Sequence, residues 1–171
     1  MLDLRIYPEC DQPQLVKAAA DYQRLWDAHR KRIVTRFRVT TGLDFAEGLI
    51  NAIVWDGGGF ATPLRFRNHP DEEFRLGTVI HELSHRLIRG NRARLGMPPS
   101  RPELVHENHE LIDLFLFDVW CDLFGEDFAR RRVDVESAAN DYSREAWQAA
   151  LALDRAGRAA RLKSLLGPQS G

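Results

Sequence analysis

The chain has 171 residues, a formal net charge of −1, 44% hydrophobic residues and 29% charged residues. This length suits one domain with a core of its own over residues 1–171, and the balanced charge argues against binding to nucleic acid or anionic membranes by charge alone. Two cysteines are too few for a disulfide scaffold, and neither a signal peptide nor a membrane span is evident, so we expect a cytoplasmic protein without a membrane partner.

The N-terminal part of the chain predicts a strand, a long helix and a β-hairpin. Residues 2–8 alternate apolar and polar side chains, as in a strand, and residues 12–37 carry an apolar helical face. That face comprises Leu15, Ala18, Ala19, Tyr22, Leu25, Trp26 and His29. Two β-like apolar runs then flank the turn-forming residues 56–59, which predicts a hairpin, and Pro63 suggests that its second strand lies at a sheet edge.

The rest of the chain predicts helices. A first one is expected over residues 70–89, with acidic residues in its first turn and Gly90 as its C-cap, followed by a proline-containing loop over 91–102. The other predicted helices cover 102–124 (ending at Gly125), 126–132 and 135–166. The expected fold class is therefore α+β, mostly helical, with a small sheet before the central helices.

The segment His81-Glu82-Leu83-Ser84-His85 has the pattern HExxH inside an apolar helix. Residues four apart share a helix face, so His81 and His85 can bind one metal ion while Glu82 stands beside it as a general base. A zinc ion held there would acidify a water molecule and polarise a carbonyl group. The alternative is a pair of structural histidines with other partners, but buried imidazoles need such partners and a metal would provide one.

A catalytic zinc site usually has a third protein ligand, and the predicted helix 102–124 offers candidates. His106, His109, Glu110 and Asp113 are spaced so that they share a face. We favour His109 as the ligand, with Glu110 as the main competitor and His106 or Asp113 behind it. Asp113 could then form a hydrogen bond to one of the motif histidines and orient it.

The stretch TVIHELSHRLI resembles the active-site helix of the zincin metallopeptidases. HExxH followed by a second metal-binding helix is similar to the gluzincin branch, including its small members, the minigluzincins. Gluzincins supply a glutamate from that helix, commonly with an aspartate four residues later, whereas here His109 stands four residues before Asp113. A third histidine is instead what SprT-like proteases use, and the metzincin extension is absent because its third histidine position is Asn91.

The resemblance implies a zincin-like fold in which a small, twisted, mostly antiparallel sheet precedes the active-site helix. It also implies that an edge strand, here within residues 59–66, pairs with a bound peptide. The hypothesis is therefore a zinc metallopeptidase with His81, His85 and His109 as ligands and Glu82 as the catalytic base, acting on peptides or proteins. The alternatives are a catalytically silent zincin-like binding domain and a SprT-like DNA-associated protease, although nucleic acid is not the expected partner.

Overall fold

The computed structural model describes residues 1–97 and 105–166, and for residues 105–108 and 166 it describes the backbone alone. These residues form an α+β fold that is mostly helical, as predicted. In chain order the elements are β1 (Asp3–Pro8), α1 (Pro13–Thr41), β2 (Leu49–Trp55), β3 (Phe60–Ala61), β4 (Leu64–Arg67), α2 (Glu72–Asn91), α3 (Val105–Phe124), α4 (Glu126–Ser137), α5 (Asp141–Leu151) and α6 (Arg155–Leu166).

The four strands form one sheet in the order β1-β2-β4-β3. The pairs β1–β2 and β2–β4 are parallel, and only the short β3 pairs antiparallel with β4. The prediction of a mostly antiparallel sheet is therefore wrong. The reason lies in the connections, because α1 carries the chain back across the sheet between β1 and β2, and such a crossover produces parallel neighbours.

The predicted hairpin around residues 56–59 is also wrong. Residues 56–59 lead from β2 to β3, and the antiparallel turn comes later, at Thr62 and Pro63 between β3 and β4. The segment predicted as the second strand contains both β3 and β4, so only part of it lies at a sheet edge. That part is β3, whose Phe60 is 52% exposed, whereas β4 lies inside the sheet with Leu64 2% exposed and Phe66 fully buried. The strongly apolar Leu64 and Phe66 thus lie on an interior strand, which has β2 on one side and β3 on the other.

The sheet buries one face. In register, Leu4 of β1 lies beside Ile50 of β2, and Ala52 of β2 lies beside Leu64 of β4. All four side chains are buried, whereas their neighbours along the strands point to the opposite face. Helix α1 covers this buried face with the residues predicted for its apolar stripe, except that His29 is only half-buried.

Helix α2 carries the HExxH motif and begins where the acidic residues predicted it. Asp71 is its N-cap, and its carboxylate accepts a hydrogen bond from the amide of Phe74 at 2.6 Å. The predicted C-cap at Gly90 is wrong, because the helix continues to Asn91 and its C-cap is Arg92. A Cβ at Gly90 would lie 3.0 Å from the Cβ of Ala46, so the glycine allows close packing here.

Helix α3 lies at the centre of the helical layer, and every residue from 111 to 120 is buried. It contacts α1, α2, α4, α5 and α6. A helix that is apolar all round is expected in such a position. It ends before Gly125, as predicted, and Gly125 has a φ of 94° that favours glycine. The predicted start at residues 102–104 lies outside the described residues.

The C-terminal helices differ from the prediction. The short helix expected at 126–132 is present as the longer α4, but the single helix expected over 135–166 is wrong because the chain forms α5 and α6 instead. Asn140 caps α5 by accepting a hydrogen bond from the amide of Ser143 at 2.8 Å. Asp154 accepts one from the amide of Gly157 at 2.7 Å at the start of α6. Each side-chain oxygen satisfies an amide in the first turn of a helix, so a new helix begins after each of the two residues.

Within residues 1–97 and 105–166, no helix combines the length and the apolar character that a membrane crossing requires.

Candidate metal centre

His81 and His85 lie one turn apart on the same face of α2. Their Nε2 atoms are 3.1 Å apart, and their rings are inclined by 62°. Two nitrogen ligands of one tetrahedral zinc ion would be about 3.3 Å apart, given Zn–N distances of about 2.0–2.1 Å. The spacing of the motif on a helix therefore brings both imidazoles to the separation that one zinc ion requires.

His109 approaches this pair from the second turn of α3. Its ring centroid is 5.2 Å from that of His81 and 4.8 Å from that of His85. One donor atom from each of the three imidazoles can be chosen so that all lie within 4.8 Å of one another. The packing of α3 against α2 thus brings the three predicted ligands together.

The competing candidates on α3 are arranged differently. Glu110 is exposed and lines a separate groove next to Tyr142. Asp113 is fully buried one helical turn after His109. Its nearer carboxylate oxygen lies 4.0 Å from Nδ1 of His109, which is too far for a hydrogen bond. The prediction that Asp113 orients a motif histidine is not supported by this geometry. The side chain of His106 lies outside the described residues.

A different carboxylate contacts the motif. Oε1 of Glu136, near the end of α4, lies 2.9 Å from Nδ1 of His81, on the side of the ring opposite the Nε2 atom that faces His85. A carboxylate at this position favours the tautomer whose Nε2 lone pair is directed at a metal. Sequence reasoning missed Glu136. The available signal was its spacing from Arg132 on one helix, which the incorrect boundary at residue 135 obscured.

Glu136 is itself held by Arg132, one turn earlier on α4. The two charged groups approach to 3.6 Å, and the side chain of Arg132 is only 5% exposed. Its guanidinium lies over the ring of Phe74 at 4.8 Å and against Gly77 of α2, where a Cβ would overlap it. Gly77 thus leaves the space in which the arginine lies, four residues before His81.

The charges of the site change the acidity of its members. Burial alone would lower the pKa of His81, but the charge and contact of Glu136, with smaller contributions from Glu82 and Asp113, raise it to about 9. Burial lowers the pKa of His85 well below its usual value, and the charges of His81 and His109 act in the same direction. His85 is therefore held in the neutral form that binds metals.

The carboxyl groups respond to burial as well. Glu82 is 7% exposed, and burial together with the charge of Glu136 raises its pKa to about 7, against the opposing charge of His81. Burial and Glu136 also raise the pKa of Asp113 to about 8. Burial would raise the pKa of Glu136 too, but His81 and Arg132 outweigh this effect and lower it. Glu136 is thus the charged partner of His81, whereas Glu82 can exchange a proton near neutral pH.

A cavity of about 570 Å³ opens beside His81 and His109. Its lining includes His81, His109 and Glu82, together with Glu136 and the glycines at 58 and 59. The three imidazole donors and the neighbouring carboxylate match the ligand chemistry of zinc with one open coordination position. The residues present therefore fit the metal that the HExxH motif implies.

Comparison with models of known protein families, with curated proteins and with solved structures finds no match to this chain.

Proposed function

We propose that this protein is a zinc-dependent peptidase in which His81, His85 and His109 hold the ion and Glu82 is the general base. The observation that carries the proposal is the convergence of three imidazoles beside a cavity whose wall includes His81, His109 and the buried carboxylate of Glu82. Three protein ligands leave a position free for water or substrate, which is the arrangement of catalytic rather than structural zinc sites.

Each side chain has a distinct part in the proposed reaction. When bound, zinc would polarise the peptide carbonyl and lower the pKa of a water molecule. Glu82 would take a proton from the attacking water and deliver it to the leaving amine. Its pKa of about 7 in the metal-free protein suits a group that accepts and releases a proton near neutral pH. Glu136 would keep His81 in the metal-binding tautomer.

The substrate reaches this site through the cavity. The wall beside Glu82 is formed by the loop that leads into the edge strand β3, which supports the expectation that a peptide lies along this edge. We therefore propose peptides or protein segments in extended conformation as substrates.

The role of Glu82 is tested by Glu82→Gln. We expect this variant to keep its affinity for zinc and to lose at least about 100-fold in kcat on a mixture of peptides, because a general base contributes about 10²–10⁴-fold. Glu72→Gln is the matched control, since Glu72 lies on the same helix with a side chain that is 56% exposed. Full activity of Glu82→Gln would refute the mechanism, and zinc binding without any turnover in the parent protein would favour the silent binding domain.

The third ligand is tested by zinc titration of two neighbouring variants. His109→Ala should weaken zinc binding by at least about 100-fold, because one of three nitrogen ligands is removed. Glu110→Ala should bind zinc like the parent protein, because Glu110 is exposed on another face of α3. The opposite result would identify Glu110 as the ligand and contradict the assignment.

A more specific candidate is a DNA-associated protease of the SprT-like kind. The observation that favours it is the third histidine, since His109 and not Glu110 joins the cluster. This candidate predicts binding to duplex or single-stranded DNA that weakens steeply with salt. If fluorescence anisotropy detects no DNA binding at low salt, this candidate is excluded while the peptidase proposal remains.

A further inference from the structure

The loop of residues 56–59 contains three consecutive glycines beside the site. None of the three has a left-handed backbone, because the described glycines with positive φ are Gly42, Gly96 and Gly125. The φ angles at 57–59 therefore lie outside the region that favours glycine. What distinguishes the three positions is the surroundings of the Cβ atom that each of them lacks.

Two of the three glycines are in close contact with a side chain. A Cβ at Gly57 would overlap the ring of Trp55, whose Nε1 donates a hydrogen bond to the carbonyl of Gly58 at 2.7 Å. A Cβ at Gly58 would meet nothing within 4 Å. A Cβ at Gly59 would overlap Oε1 of Glu82, the proposed general base, and would lie 3.3 Å from its Cδ. The loop is thus anchored on Trp55 at one end and packed on the carboxylate at the other.

The carboxylate of Glu82 depends on this packing for its position. Among the described residues no hydrogen bond or ion pair holds it, although its residue is only 7% exposed. The third-nearest atom to the missing Cβ of Gly59 is Cγ2 of Thr78 at 3.5 Å, an ordinary van der Waals contact. The two atoms nearest to the position of the missing Cβ therefore both belong to the Glu82 carboxylate.

We infer that Gly59 is a positioning residue for the proposed reaction: its backbone forms the wall against which the Glu82 carboxylate rests, and only glycine leaves room for it. This inference rests on the proposed function of Glu82. It gives the glycine loop a role in catalysis that a flexible turn would not have, because a general base must be held close to the proton that it removes.

The activity test compares two glycine-to-alanine variants, one inside the site and one outside it. We expect Gly59→Ala to lower kcat by about 100-fold, since a displacement of about 1 Å can cost that factor. Its KM and its zinc affinity should stay within about twofold of the parent protein, because the three histidines are untouched. Gly48→Ala is the control and should keep the parent kcat, because Gly48 lies outside the cavity and its added methyl group would meet nothing within 4 Å. Equal kcat values for the two variants would overturn the inference.

A double-variant cycle tests whether Gly59 acts through Glu82. Glu82→Asp retracts the carboxylate by one methylene group, which should lower kcat in the parent protein. In the Gly59→Ala background the shorter side chain avoids the new methyl group, so the same change should cost at least about tenfold less in kcat. If the two substitutions multiply independently, Gly59 does not act through Glu82 and the inference fails.

A third measurement does not require turnover and uses the metal-free protein. Gly59→Ala should lower Tm by about 4–8 °C relative to Gly58→Ala, because overpacking costs stability. In a Glu82→Ala background the two variants should melt within about 2 °C of each other. If Gly59→Ala fails to fold, recovery of folding in the Gly59→Ala, Glu82→Ala double variant supports the contact between Gly59 and Glu82. If the double variant also fails to fold, the contact is not responsible and the inference is overturned. A parent protein without peptidase activity would refute the proposed function, while this comparison still decides the contact.

Discussion

At the scale of single residues, the site combines groups with opposite demands on their charge. His81 lies between Glu136 on one side and the other two imidazoles on the other. Glu136 stays charged because His81 and Arg132 outweigh the cost of its burial. Glu82, without such partners, has its pKa raised to about 7. The pKa values of two glutamates near the same histidine thus shift in opposite directions, because only one of them is paired.

We predict that Glu136→Gln weakens zinc binding by about 10–100-fold, because it removes the charged partner that orients His81 and raises its basicity. In the parent protein a proton competes with zinc for His81, whose pKa is about 9. The zinc affinities of the two proteins should therefore be compared at about pH 9. Asp134→Asn is the matched control, since Asp134 lies exposed on the same helix. Unchanged affinity in Glu136→Gln would show that the contact does not support the metal site.

At the scale of elements, α3 is connected to its neighbours by buried and half-buried charges. Asp122 accepts hydrogen bonds from Arg36 of α1 at 3.1 Å and from Arg155 of α6 at 3.0 Å. Deeper in the fold, both groups of the Asp118–Arg158 pair are less than one tenth exposed, with an N–O distance of 2.7 Å. Removing one member of such a buried pair is costly because the other is left without a partner.

We predict that Asp122→Asn lowers the free energy of unfolding by about 1 kcal/mol at pH 7, a modest amount because Arg155 is largely exposed. The hydrogen bond from Arg155 lowers the pKa of Asp122, against the effect of burial. Its stabilisation is therefore fully present above the unfolded value of about 3.9 and is lost as pH falls through the lower folded value.

Denaturant unfolding of both proteins between pH 7 and about pH 2.5 checks this, and the difference should vanish at the acid end. Asp11→Asn is the control, because Asp11 is exposed and forms no ion pair with the described residues. A difference that is the same at every pH would mean that the carboxylate charge is not responsible.

At the scale of the whole molecule, the candidate metal centre joins separate parts of the chain. Its ligands come from α2 and α3, and its outer carboxylate comes from α4. Loss of the packing between these helices would separate the ligands. A metal that binds only the assembled site therefore stabilises the entire fold by mass action.

We predict that zinc at about 100 times its Kd raises Tm by roughly 5–10 °C, which corresponds to about 2.7 kcal/mol for a chain of this size. A chelator should reverse the increase. His85→Ala should abolish it, whereas His29→Ala should keep it, because His29 lies on α1 against Phe124 and away from the cluster. An equal increase in His85→Ala would mean that zinc stabilises the protein from another site.

Local rules were sufficient for part of this structure. The α+β class, the strand β1, the apolar face of α1, the N-terminus of α2 and the end of α3 at Gly125 were all predictable. So was the pairing of His81 with His85, since helix geometry alone puts residues four apart on one face. These features depend on contacts within a few residues, and the amino-acid pattern carries that information directly.

The tertiary structure decided the features that depend on distant parts of the chain. The parallel sheet follows from how α1 crosses it, and the position of His109, rather than Glu110, beside His81 and His85 follows from which face of α3 packs against α2. The contact of Glu136 with His81 joins residues 55 positions apart, and the contact of Gly59 with Glu82 joins a loop to a helix. Spacing along the chain does not encode such contacts, because they arise only when separate elements pack together.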